Sequence, residues 1–426
     1  MKVVGVIRHE PRRRASREEF EELLRSAGYE VLAIVEQVRE EHPRYNIGPG
    51  KLEEVKKLVK ALRPDRVVFA NRLTPSQAYN LWRELRVEIM DKWQLVLEIF
   101  EKRAHSKEAK LQVELANLQY ELPLVKEAIR RIRLGDRAGF KGMGEYQTQQ
   151  YLKHIRYRMG KIREELEKIR AERAVRRKKR EEEGFVLIAL AGYTNAGKST
   201  LLNILTNEDV DAKNQMFTTL DTTTRRFRLR GKKVLITDTV GFIDDLPPFI
   251  VEAFHSTLEE IVKADVVVLV VDASEPWPEV RRKFLASLDV LRELKALDRP
   301  IIVALNKVDL VGEEDAGEKE ALILELAERR SVTLSGTAKI SARLGRVEEL
   351  LEVLERTILS LPKFRLFEIK IREPEKVGKV LSIVRSIGEL VAVEYGPETT
   401  IRAYIQAGMI RELTKLGVEL RAAQPP

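Results

Sequence analysis

The chain has 426 residues, which is enough for two to four domains. Hydrophobic residues make up 44% of it, as in soluble globular proteins, and no apolar run approaches the length of a membrane span. The absence of cysteine excludes disulfides, thiolate metal sites and cysteine nucleophiles, and it favours a cytoplasmic location. A net charge of +9 is compatible with a polyanionic partner but does not require one.

Residues 1–91 alternate short β-rich runs with helical stretches, which predicts a small α/β subdomain. Within it, Gly48-Pro49-Gly50 lies between a strand and a helix. The favoured interpretation is a turn that enters the helix. The alternative is a second nucleotide site, since glycines at a helix amino terminus can approach a phosphate.

Residues 92–183 are almost wholly helical and predict a long antiparallel helical hairpin with a basic linker. Two series of apolar residues recur in steps of three and four, as on the packed faces of paired helices. They are Leu111, Leu115, Leu118, Leu122, Val125, Ile129 and Ile132, and Leu152, Ile155, Met159, Ile162, Leu166 and Ile169. The second helix becomes strongly basic toward Arg180, which indicates either a solvated face or a contact for a phosphate backbone.

The loop between the two helices, residues 135–145, combines glycines with basic and aromatic side chains. Arg137 and Lys141 are candidates for RNA phosphates, and Phe140 is a candidate for stacking on an unpaired base. A flexible turn without an RNA role is the alternative.

Residues 184–361 predict a P-loop GTPase domain, because a buried-strand run is followed directly by the phosphate-loop motif. Its glycines let backbone N–H groups wrap the phosphates, Lys198 reaches the β- and γ-oxygens, and the Ser199 hydroxyl binds Mg²⁺. The phosphate-binding residues predicted here are Gly192, Tyr193, Thr194, Asn195, Ala196, Gly197, Lys198, Ser199 and Thr200.

Two further segments predict the switch regions. Asp238-Thr239-Val240-Gly241 ends a strand, so that Asp238 is expected to hold Mg²⁺ through water and the Gly241 amide to sense the γ-phosphate. The segment Phe217-Thr218-Thr219-Leu220-Asp221 lies between these motifs and can deliver a hydroxyl to Mg²⁺, with Thr219 favoured over Thr218. We therefore predict Lys198, Thr219 and Gly241 as the catalytic residues.

Base choice is assigned to Asn306-Lys307-Val308-Asp309, which again follows an apolar strand. The Asp309 carboxylate can accept hydrogen bonds from guanine N1–H and the exocyclic amine, whereas adenine has an acceptor at N1, so ATP is expected to bind poorly. The stem of Lys307 can cover the base. Ile340-Ser341-Ala342 falls where a last loop would present backbone N–H groups to guanine O6. Ser341, Ala342 and Arg343 are therefore predicted to bind the nucleotide.

Two positions bear on the rate of hydrolysis, and the first of them predicts slow turnover by the free protein. Phe242 stands where many GTPases place a glutamine that orients the attacking water, and a phenyl ring cannot make that hydrogen bond. Asn195 has two interpretations: a ligand for a K⁺ ion that replaces a missing arginine finger, or an ordinary loop residue.

The whole arrangement resembles the HflX family of translation-factor-class GTPases, over most of the chain. The resemblance lies in Gly48 to Leu52, in Ala104 with Glu108-Ala-Lys-Leu-Gln-Val-Glu-Leu-Ala116, in the phosphate loop, in Phe217 to Asp221 and in Asp238 to Phe242. It implies binding to the large ribosomal subunit and its RNA through the hairpin tip, with a role in ribosome splitting, rescue or maturation. At the tip the chain departs from the common family loop, since Ala138 to Glu145 lacks the Thr-Arg-Gly-Pro core.

Residues 362–426 predict a small βαββα module without a chemistry of its own. The protein is expected to be a monomer, and ribosomes are expected to stimulate its hydrolysis of GTP to GDP. The alternative is a regulatory GTPase whose hairpin recruits a protein partner.

Overall fold

The computed structural model describes residues 1–11, 16–133, 145–182, 184–206, 223–229, 232–243, 248–406 and 409–423. These residues divide into two compact units. The first unit holds the described part of Met1–Ile169 and of Pro247–Phe254, and the second holds that of Arg170–Lys213, Asp221–Leu246 and His255–Pro426. Within the described residues, no helix is both long and apolar enough to cross a membrane.

A four-stranded parallel sheet organises the first unit and confirms the predicted α/β domain. Its strands are β1 (Lys2–His9), β2 (Glu30–Val38), β3 (Arg66–Phe69) and β4 (Glu88–Asp91), in the order β2-β1-β3-β4. The helices are α1 (Arg17–Ser26), α2 (Pro49–Leu62), α3 (Pro75–Leu85) and α4 (Lys92–Arg103). Only the first residue of β1 is exposed, as expected for a parallel strand covered on both faces.

The Gly48-Pro49-Gly50 turn lies at the start of α2, where Pro49 occupies the first turn of the helix. The Gly48 N–H donates a hydrogen bond to Gln37 Oε1 at 2.9 Å. A Cβ atom at Gly48 would lie only 2.0 Å from Arg39 Nη1, so the Arg39 guanidinium fills the space of a side chain. The glycine thus has a packing role in the turn.

The predicted helical hairpin consists of α5 (Lys107–Arg133) and α6 (Glu145–Glu182). Its apolar seam is confirmed, because the two helices share one hydrophobic cluster in the first unit. The buried members are Leu111, Leu115, Val125, Ile129, Ile155, Met159, Ile162 and Leu166. Near the end of α5, Arg131 Nη2 donates to Ser76 Oγ of α3 at 2.7 Å, so this end of the helix is attached to the α/β domain. The loop with Arg137, Phe140 and Lys141 lies outside the described residues.

The second unit is built on a six-stranded sheet in the order β10-β9-β8-β5-β7-β6, in which only β6 is antiparallel to its neighbour. The strands are β5 (Val186–Gly192), β6 (Thr223–Leu229), β7 (Lys232–Asp238), β8 (Val266–Asp272), β9 (Ile301–Asn306) and β10 (Leu334–Lys339). The helices are α7 (Lys198–Thr206), α9 (His255–Lys263), α10 (Trp277–Glu293), α11 (Glu313–Arg329) and α12 (Glu348–Leu359). This is the predicted P-loop domain.

One short helix between β7 and α9 is part of the first unit: α8 (Pro248–Ala253). There the Phe249 ring lies 6.1 Å from the Tyr120 ring of α5, and Gln119 Nε2 donates to Glu252 Oε2 at 2.7 Å. Just beyond α8, the Phe254 ring meets the Phe100 ring edge-on at 4.9 Å. The chain that follows Gly241 therefore enters the core of the first unit, which the sequence pattern did not predict.

The carboxyl-terminal module contains β11 (Phe364–Ile371), α13 (Pro374–Ile387), β12 (Gly388–Glu394), β13 (Thr399–Gln406), α14 (Ile410–Thr414) and β14 (Glu419–Ala422). Its sheet has the order β12-β13-β11-β14 and adds a fourth strand, β14, to the predicted βαββα pattern. The sequence did not indicate β14 because the strand is short and mostly exposed. Buried Lys232 of β7 contacts Glu355 at 3.0 Å and Glu389 of the module at 3.2 Å, which attaches the module to the P-loop domain.

Candidate nucleotide-binding site

The phosphate loop connects the end of β5 to the start of α7, and its backbone explains its glycines. Gly192 and Gly197 have φ angles of +137° and +95°, which side chains rarely adopt. A Cβ atom would lie 2.3 Å from the Val270 carbonyl oxygen at Gly192, and 2.2 Å from Asn306 Nδ2 at Gly197. The loop therefore packs directly on β8 and on the residue that ends β9.

The Lys198 ammonium is buried inside this loop. Its Nζ donates to the carbonyl oxygens of Gly192 at 3.1 Å and Tyr193 at 2.8 Å. Burial lowers the pKa of Lys198 to about 8, and the nearby Asp238 carboxylate partly opposes that shift. The loop also buries the Thr194 hydroxyl without a hydrogen-bond partner among the described residues. Both groups are of the kind that an anionic ligand with acceptor oxygens satisfies.

Ser199 and Asp238 come together at the carboxyl ends of neighbouring strands. The Ser199 hydroxyl donates to Asp238 Oδ2 at 2.6 Å, and Asp238 lies opposite Leu190 in the β5–β7 ladder. Among the described residues, no group of three or more His, Cys, Asp and Glu could hold a metal by itself. A hydroxyl and a carboxylate fit Mg²⁺, which binds a few protein oxygens and completes its shell with phosphate and water.

The Asp238–Gly241 segment is joined to the phosphate loop by its backbone. The Phe242 N–H donates to the Gly192 carbonyl at 3.0 Å, and the Thr194 N–H donates to the Phe242 carbonyl at 2.9 Å. A Cβ atom at Gly241 would lie 2.9 Å from Thr194 Cα and 3.0 Å from Lys198 Nζ. Gly241 therefore lies directly against the groups expected to hold the terminal phosphate.

The Phe242 side chain is only 1% exposed. Its ring is therefore part of the core, while its backbone is bonded to the phosphate loop. Thr239 has a similar structural role, because its buried hydroxyl donates to the Leu190 carbonyl at 2.8 Å. The exposed position is Asn195, whose φ angle of +64° is one that asparagine tolerates better than most residues.

Asn306 connects three loops of the site. Its Nδ2 donates to the Ala196 carbonyl at 2.9 Å, and its Oδ1 accepts from the Ala342 N–H at 2.9 Å. The side chain is buried, so both bonds are shielded from water. The sequence placed Asn306 in a base-recognition motif but did not indicate this bridge.

Asp309 and Lys307 are each held by a neighbouring loop. The Ser341 hydroxyl donates to Asp309 Oδ1 at 2.6 Å, which fixes the carboxylate. The Lys307 ammonium lies 2.6 Å from Asp272 Oδ2 at the end of β8. The sequence did not indicate Asp272 as a partner of Lys307, although its position at the carboxyl end of a buried strand was a signal. Arg343 lies exposed beside Ser341 in the same turn.

One predicted segment of the site is not among the described residues. Phe217, Thr218, Thr219, Leu220 and Asp221 lie outside the described residues. The structure thus brings together the phosphate loop, Asp238–Gly241, Asn306–Asp309 and Ser341–Arg343. This sheet and these four segments, in this order, define a P-loop GTPase.

Comparisons with known proteins identify the family. The chain matches three family models: "GTP-binding GTPase N-terminal" at residues 14–101, "GTP-binding GTPase Middle Region" at residues 103–180 and "50S ribosome-binding GTPase" at residues 187–307. It is 74% identical over 420 residues to GTPase HflX of Thermococcus kodakarensis, covering 99% of this chain and 95% of that protein. The chain belongs to the HflX family and is a GTP-hydrolysing enzyme.

A second relative and a solved structure are also similar to the chain. GTPase HflX of Methanocaldococcus jannaschii is 43% identical over 349 residues, covering 82% of this chain and 84% of that protein. A solved structure of a GTP-binding protein from the hyperthermophilic archaeon Sulfolobus solfataricus, in complex with GDP, is 29% identical. That match covers 84% of this chain and 98% of the other, with a TM-score of 0.46.

Proposed function

We propose that this GTPase is a nucleotide-dependent switch that associates with the large ribosomal subunit and acts in ribosome splitting, rescue or maturation. The observation that carries the switch is the position of Gly241 against Thr194 and Lys198. A γ-phosphate bound by Lys198 would contact this glycine. Its presence or loss would therefore change the conformation of the segment that follows Gly241. The ribosomal partner is supported by the matched model described as "50S ribosome-binding GTPase".

We assign the site roles on the same basis. The phosphate loop and Thr200 hold the phosphates, Lys198 neutralises their charge and Gly241 donates its amide to the γ-phosphate. Ser199, Asp238 through water, and Thr219 hold Mg²⁺, which when bound supplies positive charge to the β- and γ-phosphate oxygens. Asp309, held by Ser341, selects guanine. We further propose a monomer that acts in the cytoplasm, where ribosomes are found.

Hydrolysis by the free protein is proposed to be slow. The Phe242 ring is buried and carries no hydrogen-bonding group, so it cannot orient the attacking water. The ribosome is the proposed source of stimulation.

The hairpin tip tests the ribosomal part of this proposal. We expect Phe140→Ala with Lys141→Ala to weaken sedimentation with large subunits in the presence of a non-hydrolysable GTP analogue by about tenfold, because a stacked base and a phosphate contact are lost. Ribosome-stimulated hydrolysis should fall with it, while GTP affinity and basal turnover stay unchanged.

A matched control lies on the same hairpin. Tyr157 and Lys161 of α6 form another exposed aromatic and lysine pair, with 6.0 Å between Lys161 Nζ and the ring centroid. Tyr157→Ala with Lys161→Ala should leave both readouts near the wild type. If intact protein does not sediment with large subunits in any nucleotide state, a hairpin that recruits a protein partner becomes the better explanation.

The salt dependence of turnover tests whether Asn195 binds a cation or is an ordinary loop residue. If its side chain helps to hold K⁺, turnover in KCl should exceed turnover in NaCl by about tenfold or more, since an arginine finger contributes ~10³ to 10⁵. Asn195→Gly keeps the backbone angle and removes the amide, so it should abolish the difference between the two salts. Equal turnover of the wild type in both salts would contradict the cation hypothesis. Asn195 would then be a loop residue suited to this position by its positive φ angle.

A further inference from the structure

The described surface of the first unit carries a cluster of aromatic rings and guanidinium groups that the GTPase site does not use. We call it the α3 patch: Tyr79, Trp82 and Arg83 of α3, Arg86 directly after this helix, and Arg131 of α5. Trp82 is 40% exposed, and Arg83 and Arg86 are exposed beside it.

Folding of α3 does not require a tryptophan at this position. The helix buries Gln77, Leu81 and Leu85, which recur in steps of four on one face. Trp82 is one residue beyond Leu81 and so lies off that face. Its carbonyl accepts the N–H of Arg86 at 2.9 Å, a helix-ending bond that any residue could provide.

The cations of the patch lie close to its rings. The Arg131 guanidinium carbon is 4.2 Å from the centroid of the Tyr79 ring, and that of Arg86 is 5.7 Å from the Trp82 ring. The two rings lie 6.0 Å apart and are inclined at 45°. Aromatic faces beside arginines are the surface on which proteins stack and hold unpaired bases.

The charge of the surrounding surface fits a polyanion. Glu127 of α5 accepts hydrogen bonds from both Arg130 and Arg131, and Glu84 of α3 lies 3.5 Å from Lys56. Glu84 is therefore paired with a cation outside the patch, and Glu127 is shared between Arg130 and Arg131 of the patch. The bond between Arg131 and Ser76 places the patch beside the last turn of α5, next in sequence to the hairpin loop.

We propose that the α3 patch binds single-stranded RNA by stacking an unpaired base on Trp82, with Arg83 and Arg86 meeting its phosphates. The proposal rests on the proposed association with ribosomal RNA and adds a second RNA contact to the hairpin tip. A stacked base needs the flat ring that Trp82 exposes, whereas an acidic protein segment would need only the arginines.

The test uses the full-length protein and a labelled 12-nucleotide single-stranded oligoadenylate, with binding followed by fluorescence anisotropy. Trp82→Ala should weaken binding by about 5- to 150-fold, the range of one lost stack, and Trp82→Phe by less than about threefold. Trp277 is a matched control, because it is 39% exposed and lies on the second unit. Trp277→Ala should bind as the wild type does, and unchanged thermal unfolding midpoints would confirm that each variant folds.

A second readout reports the ring itself. In a Trp277→Phe protein the remaining tryptophans are exposed Trp82 and buried Trp93. A base stacked on Trp82 should therefore quench the fluorescence of Trp82 when RNA is added. The proposal is overturned if Trp82→Ala binds the oligonucleotide as tightly as wild type, or if wild type does not bind it. It is also overturned if polyglutamate displaces the RNA and itself binds more weakly to Trp82→Ala.

Sedimentation with large subunits separates this proposal from the proposed function. Wild-type protein that binds oligoadenylate through Trp82 but never sediments with large subunits would support the α3 patch and contradict the ribosomal role. Alternatively, Trp82→Ala could sediment with subunits and bind the oligonucleotide as the wild type does. That result would support the ribosomal role and contradict RNA binding by the α3 patch.

Discussion

Replacing Asp309 by Asn should convert the site from guanine to xanthine nucleotides. Asp309 Oδ1 accepts the Ser341 hydroxyl at 2.6 Å, and the Asn carbonyl can accept the same bond. The other oxygen, which we expect to face guanine N1–H and the exocyclic amine, would become a donor. Two hydrogen bonds to a charged acceptor contribute ~1.5 to 3 kcal/mol each, so GTP affinity should fall by about two to four orders of magnitude. Xanthine carries a carbonyl at C2 and should gain affinity.

Direct binding of fluorescent GTP, XTP and ATP analogues to each protein measures this change. Asp298→Asn is a suitable control, since Asp298 is an exposed carboxylate in the loop before β9 and should not alter nucleotide choice. Equal affinities of the unmodified protein for ATP and GTP would contradict the assignment of Asp309. So would an Asp309→Asn variant that still prefers GTP.

Some of this site follows from sequence because its constraints are local. Gly192 and Gly197 have positive φ angles and close neighbours, so the loop requires glycine at fixed positions in a short segment. The hairpin was predictable for a related reason. A repeat of apolar residues along one helix faces the same repeat on the next, and the residues of that seam form one buried cluster.

The remainder depends on distant parts of the chain. The Asn306 bridge joins Ala196 and Ala342, and the Lys307–Asp272 pair joins loops after different strands. No periodicity encodes such pairs, because they form only when parallel strands align their carboxyl ends. Phe242 is a similar case: its place in the motif showed that it cannot orient water, but only the fold shows that its ring lies in the core.

Replacing Gly241 by Ala should uncouple hydrolysis from nucleotide binding. The new methyl group would lie 2.8 Å from Thr194 Cγ2 and 2.9 Å from Thr194 Cα, closer than real Cβ atoms approach other atoms. The phosphate loop is held by Asn306 and by its packing on Val270, so we expect the Gly241 segment to move away instead. Its amide then no longer reaches the γ-phosphate. Removing one such donor from a transition state costs ~10² to 10³ in rate.

Single-turnover hydrolysis with protein in excess should therefore be about a hundredfold or more slower in Gly241→Ala, while GDP, which lacks the γ-phosphate, binds within about threefold of wild type. Gly317→Ala is the matched control, since Gly317 lies in α11 with no atom within 4 Å of an added Cβ and should leave both quantities unchanged. An unchanged rate in Gly241→Ala would mean that this amide does not act on the γ-phosphate. Parallel loss of GDP affinity would mean that the phosphate loop, rather than the Gly241 segment, yields to the added methyl group.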